Sequence, residues 1–399
     1  MTTARAPTTI SSGFTRYALR LQYHGGSFLG FSAQKDEDCI VVNSNGATTD
    51  LRGYTSVESR LVKAFRRLLN NKHSPLAHSF ENLQVSSRTD RGVHALGNTF
   101  HIDISDDRGI TPRQLHAGLN YYLARESPLS RKRSAPTSTE DSNETARELA
   151  NRRLRGATLY PMGDVDDPEW VRHSPAHDVR ILSAKVAPET MINHRVNPPE
   201  LIDWNARYSA TQRTYAYRIL HYVTENHDDP SSSMDWAAPF EWDRAWRIRD
   251  RRPLDVEAMR NVSSICFTGE QDFSSFQSKG CQRSTPVVDM ERIHISTHPY
   301  GMNIPEQLGQ GRGGSGLLGL GFQNCSNRYQ LVTILFQGNS FLYRQVRNMV
   351  GCLVEVGRGG LDVDQVLDIT ASKDRRKAPA MAPPQGLFLV DVKHGDFYF

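Results

Sequence analysis

Cysteine is scarce and poorly spaced for metal or disulfide chemistry. The chain has five, Cys39, Cys266, Cys281, Cys325 and Cys352, far apart and odd in number. No C-x-x-C pair occurs, so neither a zinc ribbon nor a disulfide framework is indicated. Cys266 and Cys352 fall on apolar helical faces and read as small core residues. The pairs His173/His177 and His294/His298 are each four apart, but the first lies in a Pro-containing loop. The second lies in a strand-like run, where that spacing does not converge on a metal. No apolar run approaches the roughly 20 residues that span a bilayer, so a membrane-embedded role is not expected. The Gly-rich stretch 309–321 lacks the G-x-x-x-x-G-K-[ST] pattern and does not open a helix, which argues against a phosphate cradle. Acidic residues are absent from the first 35 positions, which carry Arg5, Arg16, Arg20 and Lys35. Residues 1–15 read as a short mitochondrial presequence or as a plain flexible N-terminus. The expected location is mitochondrial, with cytoplasm or nucleus as the alternative.

What is present suits a globular protein of 399 residues, 38% apolar and 23% charged, with a net charge of +4. That length is enough for two units with cores of their own. The mild positive balance tolerates an anionic partner without proving one. Basic residues are clustered at 131–133, 152–155, 249–252 and 373–377.

Hydrophobic periodicity divides the chain. Residues 16–23 alternate as a half-buried strand. Thr55-x-x-Glu58 reads as a capping box ahead of a helix carrying Val57, Leu61, Ala64, Phe65, Leu68 and Leu69. Between them, 36–53 reads as a polar loop. A strand at 83–86 is followed by one on which Leu96, Asn98, Phe100, Ile102 and Ile104 share a face. Thr111-Pro112 opens a helix with Leu115, Leu119 and Leu123 inward. Residues 127–176 are poor in large apolar side chains and read as a mobile insertion. The second part repeats the order: a strand at 213–219, a helix from Asp255, strands at 287–296 and 331–336, a helix from Ser340 to Val356 and a last strand at 387–392. The expected fold class is therefore α+β: two related β-α-β-β-α units, 16–126 and 177–399, with joined, mostly antiparallel sheets. The helices would pack on one face, with an active-site cleft between the halves.

The stretch Ser87-Arg88-Thr89-Asp90-Arg91-Gly92-Val93-His94-Ala95 carries the most chemistry. Arginine on both sides of Asp90 favours an ionised carboxylate, suited to nucleophilic attack or to stabilising a cation. Gly92 allows the sharp turn that would set Asp90 at the mouth of a cleft. The competing reading is a surface loop with a local ion pair. Tyr215 and Tyr217 share one strand face. An aromatic there can stack on an extruded base or simply fill the core, and for Tyr217 the core reading is preferred. In the late helix Arg347 lies beside an apolar seam, where a guanidinium needs a carboxylate partner, and Asp90 is the candidate. Arg344, three residues earlier, should point the same way. The alternative for both arginines is solvent or nonspecific phosphate binding.

These segments together resemble the TruA-type tRNA pseudouridine synthases. Tyr23-x-Gly25-x-x-Phe28-x-Gly30 resembles that family's opening strand motif, and Ser87 to Ala95 its catalytic loop. Asp203 to Tyr217 resembles its central strand. Asp272-Phe273-Ser274-Ser275-Phe276 with Gly280-Cys281 and Ser284-x-Pro286 resembles a linking motif. Phe341 to Gly351, with Ala382-Pro383-Pro384-x-Gly386-Leu387, resembles its closing helix and strand. The resemblance implies Asp90 as nucleophile, Tyr215 stacking on the target uracil and Arg347 positioning Asp90. It implies RNA, tRNA or rRNA, as partner, with Arg88, Arg91, His94, Arg207, Arg213 and Arg344 as RNA-binding candidates. It implies no metal and no organic cofactor. Family members often form homodimers, though no segment here marks an interface. Three positions depart from the pattern: His24 where an acid is usual, Gly30-Phe31-Ser32 for Gly-Trp-Gln, and Ser87 for Gly. Insertions at 36–53, 127–176, 223–252 and 300–327 suggest a divergent, organellar member. The runner-up reading is an RNA-binding assembly factor acting on a mitochondrial ribosome intermediate. A glycoside hydrolase would need a second positioned carboxylate, and the motif segments offer none.

Overall fold

The computed structural model describes residues 9–32, 40–42, 48–50, 55–69, 79–125, 178–193, 198–223, 241–283, 285–299 and 329–399. The insertion 127–176, the Gly-rich stretch 309–321, Cys39, Cys325, His173 and His177 lie outside them.

The first unit runs β1 (Phe14–Tyr23), α1 (Val57–Leu68), β4 (Phe80–Val85), β5 (His94–Ser105), α2 (Pro112–Arg125) and β6 (Val179–Val186). Between β1 and α1, two short strands, β2 (Ile40–Val42) and β3 (Thr48–Asp50), pair with each other where the sequence reads as plain loop. A second small hairpin, β7 (Thr190–Asn193) with β8 (Glu200–Asp203), separates the units. The second unit runs β9 (Gln212–Val223), β10 (Trp246–Asp250), α3 (Val256–Cys266), β11 (Gly269–Asp272), β12 (Val287–Pro299), β13 (Tyr329–Gly338), α4 (Gln345–Gly357), α5 (Val363–Ser372) and β14 (Leu387–Lys393).

The repeat expected from element order is real and one strand longer per unit. Across the sheet the first unit reads β4-β5-β1-β6 and the second β12-β13-β9-β14. Each is its second, third, first and fourth main strand in turn, with every pairing antiparallel. The two join into one ten-stranded sheet where β14 runs parallel to β5, over His94–Phe388 and Ala95–Leu389.

One apolar core lies between the sheet and the helices. It takes Leu61 and Phe65 from α1, Leu115, Leu119 and Leu123 from α2, Met259 and Val262 from α3, and Met349 and Leu353 from α4. Each such buried side chain contributes ~1.5–3 kcal/mol relative to exposure. Cys266 and Cys352 are buried in it as expected.

Local chemistry sets the helix starts. Thr111 caps α2: its hydroxyl accepts from the Gln114 amide at 3.3 Å, while its own N–H donates to the Gln114 side chain at 2.9 Å. For α1 the cap is Ser56, not Thr55, because Ser56 Oγ accepts from the Ser59 amide at 3.0 Å. The expected helix from Ser340 starts only at Gln345. Arg344 sits in the left-handed region at φ 61°, and the Gln345 side chain accepts the Leu342 N–H, so 340–344 forms a turn. Helix α5 escapes the apolar pattern but is marked by a capping box, Asp362-x-x-Gln365.

Strand β5 is buried on both faces rather than one, although Leu96 is 49% exposed. On the face away from the helices, Asp103 takes a bidentate pair from Arg16 at 2.6 and 2.7 Å. Arg16 also donates to the Trp204 carbonyl at 2.7 Å. A second, small cluster of Ala18, Ala187, Trp204 and Ala206, with Phe397 and Phe399, covers that side.

Candidate active site

The loop between β4 and β5 holds Asp90. Gly92 adopts φ +79° and the Val93 amide returns to the Asp90 carbonyl at 3.1 Å, which closes the turn expected there. A cradle of backbone holds the loop from beneath. A Cβ on Gly25 would stand 2.0 Å from the Val93 carbonyl oxygen, and one on Gly30 would stand 2.8 Å from that of Thr89. The opening motif is therefore glycine-rich because the loop rests on it. The same motif supports α1, since the Val57 and Glu58 amides donate to the Gly30 and Phe31 carbonyls.

Polar side chains fix the loop from the flank. Asn98, fully buried, donates to the Ser87 carbonyl at 2.8 Å and to the Tyr23 hydroxyl at 3.3 Å. Tyr23 in turn shares a 2.7 Å hydrogen bond with Thr89. Asn98 Oδ1 accepts from Ser86, which is linked through Thr99 to His394 at 2.7 Å. His394 Nδ1 lies 2.7 Å from the Ser209 hydroxyl, which itself donates to the Asn205 carbonyl. Burial, followed by the Arg213 charge, pulls the His394 pKa down to about 3.

Asp90 meets two guanidiniums from the second unit. Arg347 Nη1 lies 3.4 Å from its Oδ2, and Arg344 Nε lies 3.6 Å away. Arg347 is 6% exposed and is oriented by a second bond, from Nε to the Ala382 carbonyl at 2.8 Å. Burial lowers its pKa, and the Asp90 charge works against that. Arg344 reaches Asp90 from the turn before α4, with its guanidinium 4.7 Å from the Tyr343 ring centre.

Tyr215 is the third member. Its hydroxyl shares a 2.8 Å hydrogen bond with Ser87, and its ring meets Phe341 edge-on at 4.9 Å. Burial raises the phenol pKa and the Asp90 charge raises it further, while the Ser87 bond and Arg213 oppose this. One strand brings the pieces together: Leu389 of β14 pairs with Tyr215 of β9 on one side and with Ala95 of β5 on the other. Tyr217, as expected, is core: it is fully buried and its hydroxyl donates to the Pro383 carbonyl at 2.7 Å.

The RNA-binding candidates divide. Arg88 and Arg344 are exposed, and Arg91 and Arg207 are half-buried. His94 and Arg213 are corrections. His94 is 2% exposed, accepts the Gly25 N–H at Nδ1, stacks on Phe388 and places Nε2 2.9 Å from the Asp243 carbonyl. Burial, then the His24 charge, pulls its pKa down to about 3, so it is a neutral structural group. Arg213 is 5% exposed and spends its guanidinium on the carbonyls of Asn339, Ser86, Ala210 and Arg207. It ties the two units together rather than facing a ligand. His24, where an acid was expected, is paired with Asp243 at 2.8 Å. Asn98 and Gly30 went unrecognised as loop supports, although Gly30 stood in a noted motif.

A family model described as tRNA pseudouridine synthase matches residues 264–394, the stretch that carries Arg344, Arg347 and β14. Similarity to whole proteins extends much further. The chain is 27% identical over 390 residues to tRNA pseudouridine synthase A of Gluconobacter oxydans, covering 98% of this chain and 94% of that protein. It is 25% identical to the Erythrobacter litoralis protein of the same name, over 95% of this chain and 99% of that one. A Cereibacter sphaeroides protein, again so named, is 27% identical over 94% and 96%. Over nearly its whole length the chain is similar to proteins named tRNA pseudouridine synthase A. That similarity supports an isomerase enzyme, and Asp90 is the acid that Arg347 and Arg344 address.

Proposed function

We propose that this enzyme converts uridine to pseudouridine within tRNA, with Asp90 as the nucleophile. The observation that carries the reading is the convergence on one loop carboxylate of Arg347 and Arg344 from one side and the Tyr215 phenol from another. The reaction is an isomerisation. The bond from the ribose to the base nitrogen breaks, the base turns, and a new bond forms from the ribose to carbon. No atom is gained or lost beyond protons exchanged with water.

A fixed anion suits each step. It can add to the uracil ring, or act at the sugar when the glycosidic bond opens and positive charge develops there. Two guanidiniums keep the carboxylate aimed. The Tyr215 ring offers a platform for a base drawn out of its stack, which costs a few kcal/mol. It is 7% exposed, so stacking requires the Phe341 edge to yield. Exposed Arg88 and Arg344 and half-buried Arg207 supply cations for the flanking phosphates.

An assembly factor with an idle site would not need a carboxylate held by two arginines, which favours the enzymatic reading for tRNA over a structural role on organellar rRNA. The test is pseudouridine mapping in tRNA treated with wild-type protein or with Asp90→Asn. The variant is expected to fold with at most a modest loss of stability and to form no pseudouridine. Unaltered modification by Asp90→Asn removes Asp90 from the chemistry.

A further inference from the structure

Beside the Tyr215–Ser87 bond, the second unit meets the charged side chains of the catalytic loop at an inner and an outer contact, and only the inner one involves Asp90. The outer one joins Arg88 to Gln282: Arg88 Nη2 donates to Gln282 Oε1 at 2.6 Å across 194 residues of sequence. We propose that Gln282 is a positioning residue that aims Arg88 at a phosphate of the bound RNA without neutralising its charge. This rests on the RNA-modifying function proposed above.

Three observations support it. First, Gln282 stands on a braced segment. The Ser278 amide donates to the Tyr343 carbonyl at 3.1 Å, and the Tyr343 amide donates to Cys281 Sγ at 3.4 Å. Asn348 of α4 donates to the Ser278 hydroxyl at 3.3 Å. The loop bearing Gln282 and the turn bearing Arg344 therefore form one unit. That unit holds Asp90 through Arg344 and Arg88 through Gln282, two positions apart on the same loop.

Second, the partner of Arg88 is an amide. A guanidinium only donates, so the amide must offer its oxygen, and the contact fixes direction while the full positive charge survives. A carboxylate at this distance would form a charge-assisted pair and cancel the charge that a phosphate contact uses.

Third, the charges around Arg88 fit an anion. Desolvation where the guanidinium rests on protein, then the nearby Arg207 cation, lowers the Arg88 pKa, and Glu58 opposes this. Two cations held near each other at the rim of a cleft are relieved by an anion between them.

The experiment measures tRNA binding and turnover for wild type, Gln282→Ala, Gln282→Glu, Arg88→Ala and the double variant Arg88→Ala/Gln282→Glu, across a range of KCl. Gln282 is exposed, so these changes spare the core. Gln282→Glu is expected to weaken binding about tenfold at low salt and to reduce the slope of log K against log salt by about one phosphate contact. Gln282→Ala loses a few-fold. For both variants the loss falls on KM rather than kcat, and the double variant is no weaker than Arg88→Ala. Wild-type binding and slope in Gln282→Glu, a loss confined to kcat, or additive losses in the double variant would each overturn the proposal. Wild-type pseudouridine formation, measured in the same series, tests the function separately.

Discussion

Gly30 stands where a Cβ would come within 2.8 Å of the Thr89 carbonyl oxygen, one residue before Asp90. It also sits at φ +107°, which L side chains seldom adopt. Gly30→Ala therefore strains its own backbone and pushes the loop at once. The expected cost is more than ~1 kcal/mol of stability. Turnover should fall further than that loss explains, because Asp90 moves relative to Arg347. Urea melts beside initial rates check this; full activity with lowered stability would show that the loop follows its support.

Arg347→Lys keeps the charge but cannot reach both Asp90 and the Ala382 carbonyl. Removing one partner of a fully buried pair costs ~3–5 kcal/mol. Asp90 retains 21% of its side-chain surface in water, so the stability loss should fall below that range. The main effect is on kcat, about 100-fold, because the Asp90 carboxylate is no longer aimed. Single-turnover rates at saturating tRNA separate this from weaker binding.

Tyr215→Phe removes the hydroxyl that bonds to Ser87 and keeps the ring. The lost hydrogen bond is worth ~0.5–1.5 kcal/mol, so a modest drop in stability is expected with catalysis largely kept. Tyr215→Leu removes the stacking surface and should lower turnover much more. Equal turnover by the two variants would deny the ring a role at the base.

Stability should decline as the solution is acidified below about pH 6.5. His94 and His394 both have pKa values of about 3 in the folded protein, against 6.5 as the ordinary value. Between those limits the unfolded chain binds protons that the folded chain refuses. Stability is thus intact above 6.5 and lost progressively as pH falls, by up to ~1.4 kcal/mol per pH unit for each histidine. His394→Asn should flatten the dependence of unfolding free energy on pH between 6.5 and 5 by close to one proton. An unaltered slope would mean that His394 titrates normally in the fold.

Much of this was legible in the residue pattern. The period-two and period-3.6 runs fixed the order of both units, because amphipathic elements must bury one face wherever they end up. Asp90 stands out by its flanking arginines, Tyr215 as an aromatic on a strand face, and Arg347 because a guanidinium beside an apolar seam needs a carboxylate partner. What stayed hidden was long-range and polar. His94 and Arg213 look like surface cations in sequence, yet one is neutral under Phe388 and the other is consumed by four carbonyls. Their fate depends on strands that meet only in the folded sheet. Strand β6 and helix α5 were missed because their burial is uneven. The start of α4 was misplaced because Arg344 takes a conformation that only its contacts favour.

Strand β14 lies later in sequence than every other strand and helix described, and its pairing with β5 and β9 joins the two units into one sheet. During synthesis the first unit can fold on the ribosome as it emerges. Its carboxylate nevertheless stays without the Tyr215 strand beside it until residues 387–393 have cleared the exit tunnel. Residues 387–393 are thus the last part of the chain on which the pairing of the site's two halves depends.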